Sequence, residues 1–218
     1  MNVEKIVIID TGSSNILSLK RAVENFNPNV SISLDSKIIL SANKIFFPGV
    51  GAFKKVMKTL AERKLIETLK KVEEKKIPLF GICLGLQLFF NESEEFGICE
   101  GLKLIDGKVK KLPSKSNDKK NLKIPSIGWF KLNKNKNFNN KNFSKFAKLI
   151  NEKNFYYFVH SYYVIPSENQ NILATYNFGG HNIPAIVSKN NIIGCQFHPE
   201  KSGKKGLELI SNFLKISF

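Results

Sequence analysis

The chain has 218 residues, of which 42% are hydrophobic and 24% charged, a balance typical of a globular protein with a sizeable core. It contains no apolar run of about 18 residues, so the sequence predicts no membrane-spanning helix. The N-terminal residues pass directly into the apolar run Ile6–Asp10, which favours a first buried strand over a signal peptide. We therefore expect a cytoplasmic protein that folds as one domain across residues 1–218.

The formal net charge of +16 raises nucleic-acid binding as a hypothesis. Among the 34 basic residues only Arg21 and Arg63 are arginine, the residue best suited to gripping phosphates and guanine edges. The lysines are spread along the chain and mixed with asparagine, as in the segment Asn133–Asn137. We interpret this charge as a solvated surface, and we expect neither nucleic acid nor a membrane as a partner.

Three cysteines, Cys83, Cys99 and Cys195, form an odd and sparse set. They make no Cys-x-x-Cys motif and no Cys/His cluster with metal-ligand spacing, so the sequence predicts neither a disulfide framework nor a zinc site. A reducing compartment fits this usage, and we expect no metal and no cofactor.

Strand and helix patterns alternate through the first third of the chain. Ile6–Asp10, Val30–Leu34 and Lys44–Phe47 predict strands, and Ile16–Phe26 predicts a helix whose apolar face includes Phe26. Helical spacing continues from Phe53 to Glu74. This order predicts an α/β fold with an open, mostly parallel sheet flanked by helices and a smaller antiparallel portion.

A cysteine stands at the centre of the segment Pro78–Leu88, where a short apolar strand runs into Gly-x-Cys-x-Gly and then into an apolar helix. This is the layout of a nucleophile elbow. Gly81 and Gly85 flank Cys83 where a tight reversal leaves no room for a Cβ atom, and the helix N-terminus favours a thiolate over a thiol. The pattern predicts that Cys83 is a nucleophile. A buried structural cysteine is the alternative.

The segment Pro48–Phe53 follows a predicted strand, and it contains Gly49-Val50-Gly51. A Gly-x-Gly sequence at the carboxyl end of a strand could cradle a phosphate, form a plain tight turn, or offer a backbone N–H to an oxyanion. The elbow that comes next favours the third role, in which this N–H would act together with the N–H of Leu84.

The middle of the chain gives weaker patterns. Leu102–Val109 predicts a hairpin with an Asp-Gly turn, and Asn133–Asn142 predicts a surface loop before a short helix. Tyr156–Val164 is strongly strand-like and predicts a single strand. Near the C-terminus, Gly206–Leu214 predicts an amphipathic helix.

A histidine and a glutamate follow the apolar run of Ile192–Glu200. Because side chains alternate along a strand, His198 and Glu200 are expected to project to the same side, which suits a base and the carboxylate that orients it. Two other histidines compete for the role of base. His160 lies in an aromatic strand and is interpreted as a packing or substrate residue, and His181 as a surface loop residue.

Taken together, the segments GICLGLQL, FFPGVGAF, YYFVHSYY and QFHPEKSGKKGLELISNFL resemble the class I glutamine amidotransferases. More narrowly, they are similar to the family of glutaminase subunits of imidazole glycerol phosphate synthase. The resemblance implies that Cys83 attacks the side-chain amide of glutamine and that His198, oriented by Glu200, acts as base and then as acid. It implies that the N–H groups of Val50 and Leu84 hold the oxyanion.

The same resemblance implies further contacts and a partner. Glutamine would be held by Gly51, Gln87, Ser161 and Tyr162. Ammonia would pass to a (β/α)8-barrel cyclase subunit, in a heterodimer that makes imidazole glycerol phosphate and AICAR in histidine biosynthesis. The positions that match partner-facing residues of the family are Asn15, Trp129, Tyr157 and Lys201.

Two segments depart from the family pattern. Gly12–Asn15 replaces the usual Gly-x-Gly-Asn, and Pro125–Phe130 has Ser126 and Phe130 where the family has histidine and asparagine. Both segments are expected near the partner. Three alternatives therefore stay open: a cyclase-like partner that aminates another acceptor such as a surface sugar, a stand-alone γ-glutamyl hydrolase, and a non-catalytic binding module of this fold.

Overall fold

The computed structural model describes residues 4–12 and 16–216. Within these ranges the strands, in chain order, are β1 (Ile6–Ile8), β2 (Val30–Ile32), β3 (Lys44–Gly49), β4 (Leu79–Cys83), β5 (Glu92–Ser93), β6 (Cys99–Glu100), β7 (Gly107–Lys111), β8 (Ser126–Lys131), β9 (Asn133–Lys134), β10 (Phe155–His160), β11 (Tyr162–Pro166), β12 (Ile172–Phe178), β13 (His181–Lys189) and β14 (Ile192–Cys195). The helices are α1 (Ile16–Glu24), α2 (Ser36–Leu40), α3 (Phe53–Glu62), α4 (Leu65–Glu74), α5 (Leu84–Leu88), α6 (Ser144–Ala147) and α7 (Gly203–Leu214).

Eight strands form the main sheet in the order β2-β1-β3-β4-β14-β13-β12-β9. The first five are parallel, and β13, β12 and β9 extend the sheet in antiparallel fashion. A two-stranded antiparallel ribbon, β8–β10, and a four-stranded sheet, β11-β7-β5-β6, lie beside it. The α/β class predicted from the sequence is confirmed.

Helices cover both faces of the main sheet, and the strands feed two hydrophobic cores. Ile6 and Ile8 belong to one core with residues of α1, α6 and α7, whereas Val7 and Ile9 belong to the other with residues of α2, α3 and α4. Alternate side chains of a strand point to opposite faces, so a strand buried on both sides is apolar throughout. None of the described helices is long and apolar enough to cross a membrane.

The first helix is shorter than its sequence pattern predicted. It ends at Glu24, the N–H groups of Phe26 and Asn27 both bond to the carbonyl of Val23, and Phe26 is 46% exposed. A proline sterically disfavours the helical conformation of the residue before it, so the helix ends before Pro28. Placing Phe26 on the core face was therefore wrong.

Three expectations for the middle of the chain are corrected by the structure. The hairpin expected at Leu102–Val109 does not form: the N–H groups of Leu102 and Leu104 bond to carbonyls at the end of α5, and β7 pairs with β11 and β5. The loop expected at Asn133–Asn142 contains the edge strand β9. The single strand expected at Tyr156–Val164 is broken at Ser161, and its halves join different sheets.

Candidate active site

The thiol of Cys83 stands at the turn between β4 and α5. Its backbone has φ +55° and ψ −110°, a region that costs strain for any residue except glycine. A Cβ atom at Gly85 would run into the carbonyl oxygen of Phe47, and one at Gly81 would run into the ring of Phe89. These close approaches explain both glycines of the predicted elbow.

The helix after the elbow is a weak source of positive charge. It spans only Leu84–Leu88, and the helix dipole grows from several aligned turns, so the stabilisation of a thiolate expected from this helix is small. A stronger cation stands beside the sulfur. Burial lowers the pKa of the His198 imidazole, but hydrogen bonds to Cys83 and Glu200 and the charges of both groups outweigh it and raise the pKa to about 10.

His198 and Glu200 do meet, but for a different reason from the one that the sequence suggested. Strand β14 ends at Cys195, and Glu200 lies in a 3-10 turn over Pro199–Lys201, so strand alternation does not relate the two residues. The turn folds the carboxylate back onto the ring, and Nδ1 of His198 lies 2.9 Å from Oε1 of Glu200. Both side chains are almost fully buried.

The backbone around His198 is fixed by strand β10. The His198 N–H donates to the carbonyl oxygen of Tyr157 at 2.9 Å. The hydroxyl of Ser202 donates to the carbonyl oxygen of His198 at 2.7 Å and accepts the N–H of Tyr157 at 3.0 Å. Three elements, β10, the 3-10 turn and the start of α7, therefore hold the histidine in one position.

A cavity of about 290 Å³ opens over the cysteine. Its lining includes the predicted nucleophile Cys83, the predicted base His198, both predicted oxyanion residues and all four predicted glutamine contacts: Val50, Gly51, Leu84, Gln87, Ser161 and Tyr162. Gly49 pairs with Cys83 across β3 and β4, which brings the ends of these strands side by side. A larger depression of about 610 Å³ lies elsewhere, among lysine and asparagine side chains around Phe138.

Two residues at this site were missed in the sequence. Glu95 lines the cavity, and its Oε2 accepts the N–H of Phe53 at 2.6 Å. Gln196 is fully buried, and its Nε2 lies 3.6 Å from the Cys83 sulfur. Glu95 is one of four glutamates between Glu92 and Glu100, and Gln196 lies in an apolar run, so neither stood out as a site residue. A polar amide that interrupts the apolar run two residues before His198 was the available signal.

The other two histidines have different surroundings. His160 is buried and lines the cavity, its Nδ1 lies 2.9 Å from the carbonyl oxygen of Tyr162, and its Nε2 lies 2.8 Å from the Tyr176 hydroxyl. Burial lowers its pKa to about 4, so its ring is neutral near neutral pH. His181 begins strand β13 instead of lying in a loop, and its Nε2 is 2.8 Å from the carbonyl oxygen of Lys115.

The outer face of the β8–β10 ribbon carries exposed apolar side chains and borders the cavity. Trp129 and Tyr157 are cross-strand partners whose rings are 5.8 Å apart, and Trp129 is 52% exposed. Ile127 is also exposed, beside the cavity residue Val159. Lys201 is exposed on the 3-10 turn next to Glu200. The fourth predicted partner residue, Asn15, lies outside the described residues.

Comparison with known proteins identifies the family. The sequence matches the profile of the glutamine amidotransferase class-I family over residues 7–216. The chain belongs to the class-I glutamine amidotransferase family. This amidotransferase is therefore an enzyme, as its elbow predicted.

Curated relatives of this amidotransferase match along nearly their whole length. It is 41% identical to the imidazole glycerol phosphate synthase subunit HisH of Bacillus cereus over 209 residues, covering 95% of this chain and 93% of that one. The HisH protein of Geobacillus sp. strain WCH70 is 39% identical over 213 residues, with coverage of 97% and 96%. HisH 1 of Legionella pneumophila strain Paris is 40% identical over 211 residues, with coverage of 97% and 99%.

Solved structures agree on the fold of the amidotransferase. A glutamine amidotransferase from Thermotoga maritima has a TM-score of 0.64 at 16% identity, covering 99% of this chain and 85% of that one. The glutaminase domain of Trypanosoma brucei CTPS has a TM-score of 0.60 at 17% identity, with coverage of 99% and 95%. At these identities the likeness concerns the fold alone.

Proposed function

We propose that this chain is the glutaminase subunit of an imidazole glycerol phosphate synthase. It hydrolyses glutamine to glutamate and ammonia with Cys83, His198 and Glu200, and it passes the ammonia to a (β/α)8-barrel cyclase subunit that makes imidazole glycerol phosphate and AICAR in histidine biosynthesis. The buried His198–Glu200 pair, at the wall of a cavity that Cys83 also lines, is the observation that carries the proposal. Similarity to HisH subunits over nearly the full length supports the choice of partner.

The first half of the reaction uses the proton that His198 holds. With its pKa near 10, the imidazole is protonated at neutral pH. A cation beside a cysteine stabilises the thiolate, which is the nucleophile. The thiolate attacks the side-chain amide carbon of glutamine. The negative charge on the carbonyl oxygen is received by the backbone N–H groups of Val50 and Leu84, which follow two paired strand ends at the cavity.

Collapse of this intermediate breaks the C–N bond. His198 donates its proton to the departing nitrogen, so ammonia leaves and a glutamyl thioester remains on Cys83. The neutral imidazole then takes a proton from water, and the hydroxide attacks the thioester carbon. The thiolate departs, the acid loses its proton to solvent as glutamate, and the imidazolium is restored. Glu200 keeps the ring oriented throughout because it binds Nδ1.

The outer face of the β8–β10 ribbon is the surface that we assign to the cyclase. It combines the exposed Trp129 and Ile127 with Tyr157, and aromatic side chains are enriched in protein interfaces. The ribbon also borders the cavity through Val159. Lys201 adds an exposed positive charge on the 3-10 turn that follows His198. A partner docked here would cover the mouth of the cavity, so that ammonia passes to it and not to solvent.

The two residues that depart from the family pattern in the ribbon point away from this surface. Ser126 is buried, with its hydroxyl 3.3 Å from that of Tyr176. The ring of Phe130 packs against Phe158 and Tyr176. Since these substitutions change the inner side of the ribbon and leave Ile127 and Trp129 exposed on its outer side, they give no support for a different acceptor.

The test is glutamate release from glutamine by the purified chain, alone and with the cyclase subunit encoded by the same genome and its ribonucleotide substrate. We expect a low basal rate that rises at least about tenfold with the partner, which is about 1.4 kcal/mol of barrier. Cys83→Ala is the control and should abolish both rates.

Two outcomes would contradict the proposal in different ways. Glutamate release by Cys83→Ala at the normal rate would refute the nucleophile. Failure of the cyclase to stimulate a chain whose Cys83 still reacts with a glutamine-analogue label would retain the glutaminase and refute the histidine-pathway partner.

A further inference from the structure

A continuous chain of buried hydrogen bonds ends at the Cys83 sulfur. The last link is Gln196, whose side chain is fully buried in the step between β14 and His198. Its Nε2 lies 3.6 Å from Sγ of Cys83, within hydrogen-bonding distance for sulfur. Its Oε1 lies 3.0 Å from Nε2 of Gln87. The sulfur therefore has the side-chain amide of Gln196 within hydrogen-bonding distance, in addition to its neighbour His198.

The orientation of both amides is determined by a group that can only accept. The carbonyl oxygen of Tyr162 lies 2.9 Å from the Gln87 amide, so the Gln87 atom that faces it must be the NH₂ group. The second hydrogen of that NH₂ group then goes to Gln196, so the Gln196 atom that receives it is the carbonyl oxygen. This leaves the Gln196 NH₂ group turned toward the sulfur, as a donor.

The chain continues behind Tyr162. The same carbonyl oxygen lies 2.9 Å from Nδ1 of His160, which must also donate, so the neutral His160 ring carries its hydrogen on Nδ1. Its Nε2 is then an acceptor, and the Tyr176 hydroxyl, 2.8 Å away, donates to it. All the side chains in this path are buried or nearly so, which makes each bond strong and each mismatch costly.

We propose that Gln196 is a positioning residue for the nucleophile: its amide N–H donates to the Cys83 sulfur, stabilises the thiolate and fixes its direction, while the path through Gln87, Tyr162, His160 and Tyr176 prevents the amide from turning over. This inference rests on the proposed role of Cys83 as the nucleophile. Because both hydrogens of the Gln87 NH₂ group are used inside the protein, the atom that Gln87 offers to substrate is Oε1, an acceptor suited to an ammonium or amide N–H.

The decisive variant is Gln196→Met, which keeps the length of the side chain and removes the donor. A hydrogen bond to a charged acceptor is strong, so we expect Cys83 to react with iodoacetamide about tenfold more slowly than in the wild type at neutral pH. At alkaline pH, where free thiols ionise without help, the two rates should converge. Alkylation is followed by mass spectrometry of the Cys83 peptide, which separates it from Cys99 and Cys195.

Two further variants make the result specific. Ser188→Ala removes another fully buried polar side chain from the same sheet, on β13, and should leave the alkylation profile unchanged. Gln196→Asn retains an amide that is one methylene too short to span Gln87 and the sulfur, so it should behave as Gln196→Met does. It also tests the inference if the methionine variant does not fold.

Failure of the inference is distinguishable from failure of the proposed function. If the wild-type chain showed neither selective alkylation of Cys83 nor glutaminase activity, the assignment of Cys83 as the nucleophile would be refuted. A normal wild type together with a folded Gln196 variant that alkylates at the wild-type rate at neutral pH would overturn the role of Gln196 alone. A slower rate that persists equally at alkaline pH would point to altered access to the thiol, and it would overturn that role as well.

Discussion

The backbone N–H of His198 donates to the carbonyl oxygen of Tyr157 at 2.9 Å, so the proposed general base is anchored to a strand whose outer side is an aromatic surface. On that side the Tyr157 ring packs against Trp129. One strand, β10, thus has a surface contact and a catalytic contact at the same residue. A partner on the outer side of the ribbon would therefore lie against the strand that holds the backbone of His198.

The first prediction concerns this surface. Replacing Trp129 by alanine removes a half-exposed aromatic ring that packs against Tyr157 across the ribbon. Interface tryptophans often contribute at least about 2 kcal/mol to binding, so we expect the affinity for the cyclase to fall at least about thirtyfold. Titration calorimetry with the purified cyclase measures this directly.

Ile38→Ala is the matched control, because Ile38 is a partly exposed apolar side chain outside the ribbon. It belongs to α2, a helix that packs in the core formed with α3 and α4. It should bind the cyclase as the wild type does. If the Trp129 and Ile38 variants bound the cyclase with equal affinity, the assignment of the ribbon as the docking surface would be refuted.

The second prediction concerns Glu200. Its carboxylate helps to raise the pKa of His198 to about 10. The contribution of the protonated ring to folding stability is therefore complete below the ordinary histidine pKa of 6.5, and it is lost as the pH rises toward 10. Glu200→Gln keeps the shape and removes the charge. We expect the pKa of His198 to fall, the alkaline limb of glutamine hydrolysis to move down by about one unit or more, and kcat to drop at least about tenfold.

A pH profile of hydrolysis by the wild type and the variant, measured with the cyclase present, tests this expectation. If the alkaline limb stayed in place while kcat fell, Glu200 would act through packing and not through its charge.

Much of this site could be predicted from the sequence because its elements are local. The elbow requires glycines at fixed offsets from Cys83, and the approach of Phe47 to Gly85 is the reason that one of them cannot change. The relation between His198 and Glu200 was predicted for a wrong reason, since β14 ends at Cys195 and the chain turn at Pro199–Lys201 brings the Glu200 carboxylate to the ring. Contacts between distant segments were not predictable in this way. Gln87 and Gln196 are 109 residues apart, and nothing in either local pattern pairs them.

The third prediction concerns acid stability. His160 is buried and neutral, with its pKa lowered from 6.5 to about 4 by burial. The contribution of the neutral His160 ring to the free energy of unfolding is therefore complete above pH 6.5. It is lost as the pH falls toward 4, because the histidine of the unfolded chain is protonated at a higher pH than that of the folded chain. This amounts to about 3 kcal/mol of unfolding free energy. Urea unfolding across that pH range measures it, and His160→Gln should flatten the acid side of the profile. An unchanged acid slope in the variant would assign acid sensitivity to other groups.

The last prediction concerns Glu95, which lines the cavity near Gln87 and Tyr162. Its Oε2 accepts the N–H of Phe53 at 2.6 Å, which fixes the carboxylate at the cavity wall. We expect this carboxylate to be the counter-charge for the α-ammonium group of glutamine. Removing a charged hydrogen bond costs about 1.5–3 kcal/mol, so Glu95→Gln should raise KM for glutamine at least about tenfold. Because this contact is equally strong in ground and transition states, kcat should change little.

The neighbouring residue supplies the control for this experiment. Glu94 belongs to the same loop, but its Oε1 accepts the N–H of Lys111 at 2.7 Å, and it is not part of the cavity lining. Both variants lose one negative charge, so any general effect of the +16 surface on substrate attraction is the same for both. Glu94→Gln should therefore keep the wild-type KM. A similar rise in KM for both variants would mean that Glu95 acts through the overall field, whereas a fall in kcat alone would mean that it supports the nucleophile and not the substrate.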